Sequence, residues 1–298
     1  AARRFGKVGG FAHLASLVRR LKAIRPGALL LDGGDTWQGS ATALWTQGQD
    51  MVEACRELGV DMMTAHWEFT YGMDRVREIV DKELAGRIEF LAQNVRTTDF
   101  EDPVFDAYRI REINGVPVAV IGQAFPYTPI ANPRYLVADW SFGIRESELQ
   151  ATVDEARDKG AQVVVVLSHN GMDVDLKLAS RVRGIDAILG GHTHDGVPQP
   201  VLVSNAGGRT LVTNAGSNGK FLGVLHLQRA LREQPSQALG AFIDDDIETV
   251  SPTDSLAAVT RRLAIYNLTA IPVIDDERRL LGAVSVDDVL DNLLPENW

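Results

Sequence analysis

Four segments of this chain read as buried β-strands, and each ends in a residue able to bind a metal. The apolar run from Gly27 ends in Asp35, the run from Val60 in His66, the valine run from Gln162 in His169, and the run from Ile185 in His192 and His194. Valine-rich runs bounded by glycine are typical of strands buried on both faces. In an open α/β sheet the carboxyl ends of the strands face one crevice. The pattern therefore commits the chain to a layered α/β domain in which residues far apart in sequence meet. One Asp and four His suit manganese, zinc or iron, and are too nitrogen-rich for calcium or magnesium. A lone histidine at a strand end is more often a satisfied polar residue. Here, however, four of the six histidines sit at such ends. His13 falls in an amphipathic segment at residues 11–24, and His226 alternates with Leu225 and Leu227 on an expected strand at residues 221–227, so both read as structural.

Helical spacing recurs at residues 11–24, 48–58, 74–85, 147–159 and 173–183, and further strands are expected at 88–95, 116–122 and 210–213. The irregular stretch at residues 123–133 carries three prolines and two aromatics at a strand mouth, and reads as a wall of a substrate cleft. Cys55 shares a helix face with Met51, Val52 and Leu58, and as a single cysteine it excludes an intramolecular disulfide. A net charge of −10 without a basic stripe argues against a nucleic-acid partner. No run of about eighteen apolar residues is present, so no membrane span is expected. No signal peptide is read, and Ala1-Ala-Arg-Arg opens like the middle of a domain.

After residue 228 the character changes. Residues 229–239 read as a linker, residues 244–246 are an acidic triplet, and a small βαββα unit fills residues 240–298. Its expected parts are a strand at 247–250, a helix opened by Ser251-Pro-Thr-Asp254, strands at 270–274 and 281–285 joined at Asp275-Asp276, and a helix at 286–294. The expected division is thus residues 1–228 and 240–298.

At the strand-end residues the chain resembles a known superfamily. The succession Gly33-Gly-Asp35, Ala65-His-Trp-Glu-Phe-Thr-Tyr-Gly72, Leu167-Ser-His-Asn170 and Gly190-Gly-His-Thr-His-Asp195 is similar to the metallophosphoesterase pattern of 5′-nucleotidases. Within it, Gly34-Asp-Thr-Trp-Gln-Gly39, residues 65–72, residues 123–134 and Asn214-Ala-Gly-Ser-Asn-Gly-Lys220 resemble the SoxB thiosulfohydrolase family, and the resemblance runs over residues 4–225. It implies a layered α-β-β-α sandwich and a pair of manganese ions, with zinc or iron as alternatives. Asp35 would bridge the ions, His66, His169 and His192 would complete the second, and His194 would serve the first. Asp35, His66 and His169 would act catalytically through water activated on the metal. Trp67, Asn94, Tyr127 and Asn170 are the substrate-cleft candidates. The implied reaction removes a sulfonate, as sulfate, from a cysteine-linked thiosulfonate on a sulfur-carrier protein. A periplasmic location is implied as well.

Two departures qualify this. Nucleotidases place a His where this chain has Trp67 and an Asp where it has Thr70, a pair that helps expel an alkoxide. A thiolate-like leaving group, with a pKa of about 8.5 for an ordinary thiol, needs little protonation. The superfamily's first-strand Asp-x-His is not found in this sequence, in which no Asp precedes Asp32 and Asp32 itself reads as structural. One tight ion, an N-terminally truncated and incomplete sandwich lacking the C-terminal substrate domain, and impaired hydrolysis are therefore expected. Residues 240–298 resemble a single CBS motif of MgtE-type magnesium transporters through residues 266–274 and 281–290, with Ser285 and Asp288 as weak nucleotide candidates. An unpaired CBS motif implies a homodimer and a cytoplasmic setting. The abrupt joint near residues 223–228 reads as a fused or misassembled reading frame. The alternatives to a SoxB-like hydrolase are a 5′-nucleotidase-like phosphoesterase and a non-catalytic metal- or adenosine-nucleotide-binding protein.

Overall fold

A computed structural model describes residues 9–226, 250–266, 270–275 and 280–285. The chain divides into two compact units, Ala1–Val224 and Leu225–Trp298.

The first unit opens on α1 (Phe11–Ala23) and then builds a three-stranded parallel sheet from β1 (Leu31–Asp32), β2 (Met62–Met63) and β3 (Glu89–Phe90). Between these strands lie α2 (Ala41–Thr46), α3 (Gln49–Leu58), a 3-10 turn (Trp67–Tyr71) and α4 (Met73–Glu78), which runs on as a π-turn (Ile79–Glu83). The chain continues through β4 (Arg96–Thr97), β5 (Tyr108–Ile113), β6 (Val116–Gln123), α5 (Thr128–Ala131), β7 (Trp140–Ser141) and α6 (Glu146–Asp158). It ends with β8 (Val163–Ser168), α7 (Met172–Arg181), β9 (Ala187–Gly190), β10 (Val201–Asn205) and β11 (Gly208–Asn214). The six longer strands order as β10-β11-β9-β8-β6-β5, parallel at the centre and antiparallel at both edges.

Each sheet carries its own core. The β8 run is buried on both faces, and α6 and α7 lay Leu149, Val153, Ala156, Leu178 and Ala179 against Val164, Val166 and Ile188. The smaller sheet packs with Trp37, Val52, Cys55, Phe69, Val76, Ile79, Phe105 and Trp140. The two sheets meet where Gln93 N–H donates to the Gly122 carbonyl at 2.8 Å. A Cβ at Gly122 would collide with the Leu91 carbonyl oxygen, so only glycine lets β6 approach this close. The result is the layered α/β architecture expected.

Several local expectations are corrected. The paired parts of the first three strands span two residues each, and α2, β5 and β10 were not foreseen. Ser40 opens α2 by accepting from Ala43 N–H at 3.0 Å. The stretch at 123–133 contains α5. Residues 221–226 form no strand.

In the second unit, α8 (Leu256–Tyr266) and the antiparallel pair β12 (Ala270–Ile274) and β13 (Leu280–Ser285) surround a core of Val250, Val259, Leu263 and Ile271. The helix opens after Ser255, whose hydroxyl accepts from Ala258 N–H, whereas Ser251 and Asp254 form the turn before it. The linker at 229–239, the acidic triplet, the strand residues 247–249, Asp276, the last helix and Asp288 lie outside the described residues, as do residues 4–8. No helix among the described residues is long and apolar enough to cross a membrane.

Candidate metal centre

Asp35, His66, His169 and His192 converge, each offering a ligand atom within 4.8 Å of all the others. Asp35 lies three residues beyond β1, His66 three beyond β2, His169 directly after β8 and His192 two residues beyond β9. Strand ends from both sheets thus supply the cluster. His66 Nδ1 lies 3.0 Å from Asp35 Oδ1, His169 Nε2 lies 3.1 Å from Asp35 Oδ2, and the two imidazole nitrogens are 3.2 Å apart. His194 Nε2 is 4.0 Å from Asp35 Oδ2 on a ring that is 58% exposed, outside the close group of four.

The tautomer at His169 follows from its other nitrogen. Nδ1 faces the Gly33 carbonyl oxygen, which can only accept, so Nδ1 carries a proton and Nε2 turns to the carboxylate and to His66. A proton on His66 Nδ1, or a metal ion between these groups, would satisfy the lone pair there. Burial works against charging His169, but the hydrogen bond and charge of Asp35 outweigh it and raise its pKa. Burial likewise opposes ionisation of Asp35, yet hydrogen bonds from His169 and His66 hold its carboxyl well below the usual range. His192 is pushed down to about 4 by burial and by its two imidazole neighbours, which keeps it neutral and ligand-competent. His66 Nε2 is buried without a hydrogen-bond partner among the described residues.

Aromatic rings wall the cluster. His66 packs against Trp67, stacked at 4.5 Å, and against Phe125, at 4.0 Å, and Phe125 also packs on His192 at 4.2 Å. Three of the five named ligand candidates, Asp35, His192 and His194, hold a positive φ. For residues other than glycine, such backbone costs about 1–3 kcal/mol each and persists only where surroundings enforce it. Asn214 helps enforce it by donating to the Gly191 carbonyl at 3.2 Å, and a buried Glu68 ties down the Asp35 loop.

Of the cleft candidates, Trp67 lies half-buried on the cluster and Tyr127 is exposed and packs on Phe125. Asn94 is fully buried; its amide donates to the Ala124 and Gly143 carbonyls and its oxygen accepts from Ala124 N–H, so it clips two loops together and leaves no donor for a ligand. Asn170 is also buried, with its Nδ2 directed at Asp175. Asp32 accepts from Gly34 N–H, the Thr36 hydroxyl and the Cys55 thiol, a loop-holding role. Burial and the Glu68 charge push its pKa up to about 6. Sequence reading missed Glu68, whose only signal was its place two residues after His66.

Among solved structures, the chain is 43% identical to the sulfate thiohydrolase SoxB of Thermus thermophilus, with a TM-score of 0.69, over 74% of this chain and 40% of that one. The larger unit has a SoxB- and 5′-nucleotidase-like metallophosphoesterase fold. A calcineurin-like phosphoesterase of Bacillus subtilis shares this fold at 22% identity and a TM-score of 0.61, over 71% of this chain and 74% of that one. Among curated relatives, the 5′-nucleotidase of Bos taurus is 27% identical over 241 residues, which are 74% of this chain and 41% of that protein. The chain therefore spans less than half the length of these SoxB and nucleotidase relatives. A CBS domain model matches residues 239–295, so a CBS module follows the SoxB-like unit.

Proposed function

We propose that the SoxB-like unit is a metal-dependent hydrolase, with Asp35, His66, His169 and His192 as ligands of one tightly held ion and His194 as an outer, weaker donor. The single observation that carries this reading is the convergence of one carboxylate and three imidazoles from two sheets within 4.8 Å. The donor set fits manganese, zinc or iron, and we favour manganese from the likeness to SoxB. A bound ion would supply Lewis acidity and lower the pKa of water. The chain's own residues fix the ligands, and the rings of Trp67 and Phe125 pack on His66, which is buried from water.

The substrate we infer is a cysteine-linked thiosulfonate on a sulfur-carrier protein, from which sulfate is released. Support comes from position 67. Trp67 offers no acid to a leaving oxygen, and the Thr70 hydroxyl is turned back onto the Trp67 carbonyl at 2.7 Å. A sulfur leaving group departs without that acid. With four close ligands among the described residues, turnover is expected to be slow. The smaller unit, as a single CBS motif, is proposed to pair with a second copy.

Manganese-loaded protein assayed with a peptide carrying a cysteine S-thiosulfonate and with a nucleoside monophosphate separates the readings. We expect sulfate release from the peptide, falling at least about 100-fold in His169→Ala. Faster release of phosphate would favour the nucleotidase reading. No turnover of either, with metal bound, would favour a binding protein.

A further inference from the structure

We infer that Glu68 is the positioning residue of this centre: its carboxylate holds the Asp35 loop and the His66 turn in ligand-ready geometry before any ion arrives. The inference rests on the metal-site reading above. Glu68 is fully buried, and among the described residues its hydrogen bonds come from main-chain N–H groups. Its two oxygens accept from four backbone N–H groups. Oε2 takes Asp35 N–H at 3.2 Å and His66 N–H at 2.7 Å, and Oε1 takes Thr36 N–H at 2.7 Å and Trp37 N–H at 3.3 Å.

This arrangement joins two ligand-bearing loops through one side chain. A buried carboxylate is held only where donors satisfy it, and here all the donors are main chain. The amides on both sides of Asp35 are among them. Asp35 itself sits at a φ of 66°, a region that residues other than glycine avoid, so its conformation needs an outside restraint. The Glu68 carboxylate supplies that restraint and, through the same oxygen, fixes the turn that aims His66. Trp67 N–H adds to the lock by donating to Asp35 Oδ1 at 3.2 Å.

Glutamine at this position keeps the shape and loses the second oxygen. Whichever way its amide turns, one of the two peptide N–H groups flanking Asp35 meets a donor instead of an acceptor. Titration of the metal-free full chain with Mn2+ alone, followed by the electron paramagnetic resonance of the free ion, tests this. We expect Glu68→Gln to bind about 10- to 100-fold more weakly than wild type. Val153→Ala, which opens the core beneath the six-stranded sheet, should lower the melting temperature and leave Mn2+ affinity unchanged. Unchanged affinity in Glu68→Gln, or an equal loss in Val153→Ala, overturns the inference while leaving the metal site standing. Failure of wild type to bind Mn2+ overturns the site reading and this inference with it. Should Glu68→Gln not fold, amide hydrogen exchange in metal-free wild type decides. Slow exchange at Asp35, Thr36 and His66 supports the inference, and exchange as fast as at Gly39 overturns it.

Discussion

At the scale of single residues, the chemistry of this centre is set by how burial and hydrogen bonding sort protons among neighbouring groups. Asp175 gives the clearest test. It sits at the start of α7, accepts from the Ser168 hydroxyl at 2.6 Å and from Asn170 Nδ2 at 3.4 Å, and is pushed by burial from 3.8 to about 7. Between those values the folded chain keeps a proton that the unfolded chain releases. Stability from this group is therefore complete below pH about 4 and is lost as pH rises to about 7, roughly 4 kcal/mol at most. Asp175→Asn should flatten that decline, leaving the parts due to Asp32 and His169, which are shifted in the same sense, offset by His192, which is shifted in the opposite one. Urea midpoints for metal-free protein at about pH 5 and about pH 8 measure it, and equal slopes in the two proteins would contradict the account. The strand-end residues Asp35, His66, His169 and His192 were legible in the sequence because ligands are unusual residue types at the ends of apolar runs. Glu68 was not, and Asn94 was read as a cleft residue rather than a loop clip, because a carboxylate or amide that serves the main chain leaves no compositional pattern.

At the scale of elements, the close approach of the two sheets is the feature that brings ligands from both together. Gly122 permits it, since an added methyl would collide with the Leu91 carbonyl. Gly122→Ala is expected to destabilise the fold by about 3 kcal/mol or more, read from chemical denaturation, and to weaken metal binding with it. A loss under about 1 kcal/mol would show that the sheets can separate without cost. Buried central strands such as β8 were readable from valine runs. The edge strand β5, Tyr108-Arg-Ile-Arg-Glu-Ile113, was not, because its outward residues are charged and Arg109 and Arg111 pair with Glu89 across the surface. Residues 221–226 of the expected strand at 221–227 form none. Their apolar residues looked like a strand, but whether a segment pairs depends on the neighbours it meets in the folded chain.

At the scale of the whole chain, a CBS module after residue 228 was readable in the sequence, and the CBS domain model matches residues 239–295. What could not be read was how few residues of each early strand would pair, since pairing length depends on the neighbouring strands. The central claim is that Asp35, His66, His169 and His192 form one cation site. It predicts that metal-free protein takes up one equivalent of Mn2+ and that pulsed electron paramagnetic resonance shows imidazole 14N couplings, reduced in His192→Ala and abolished with binding in Asp35→Asn. A bound ion with only oxygen ligands, or no ion bound at all, would contradict it.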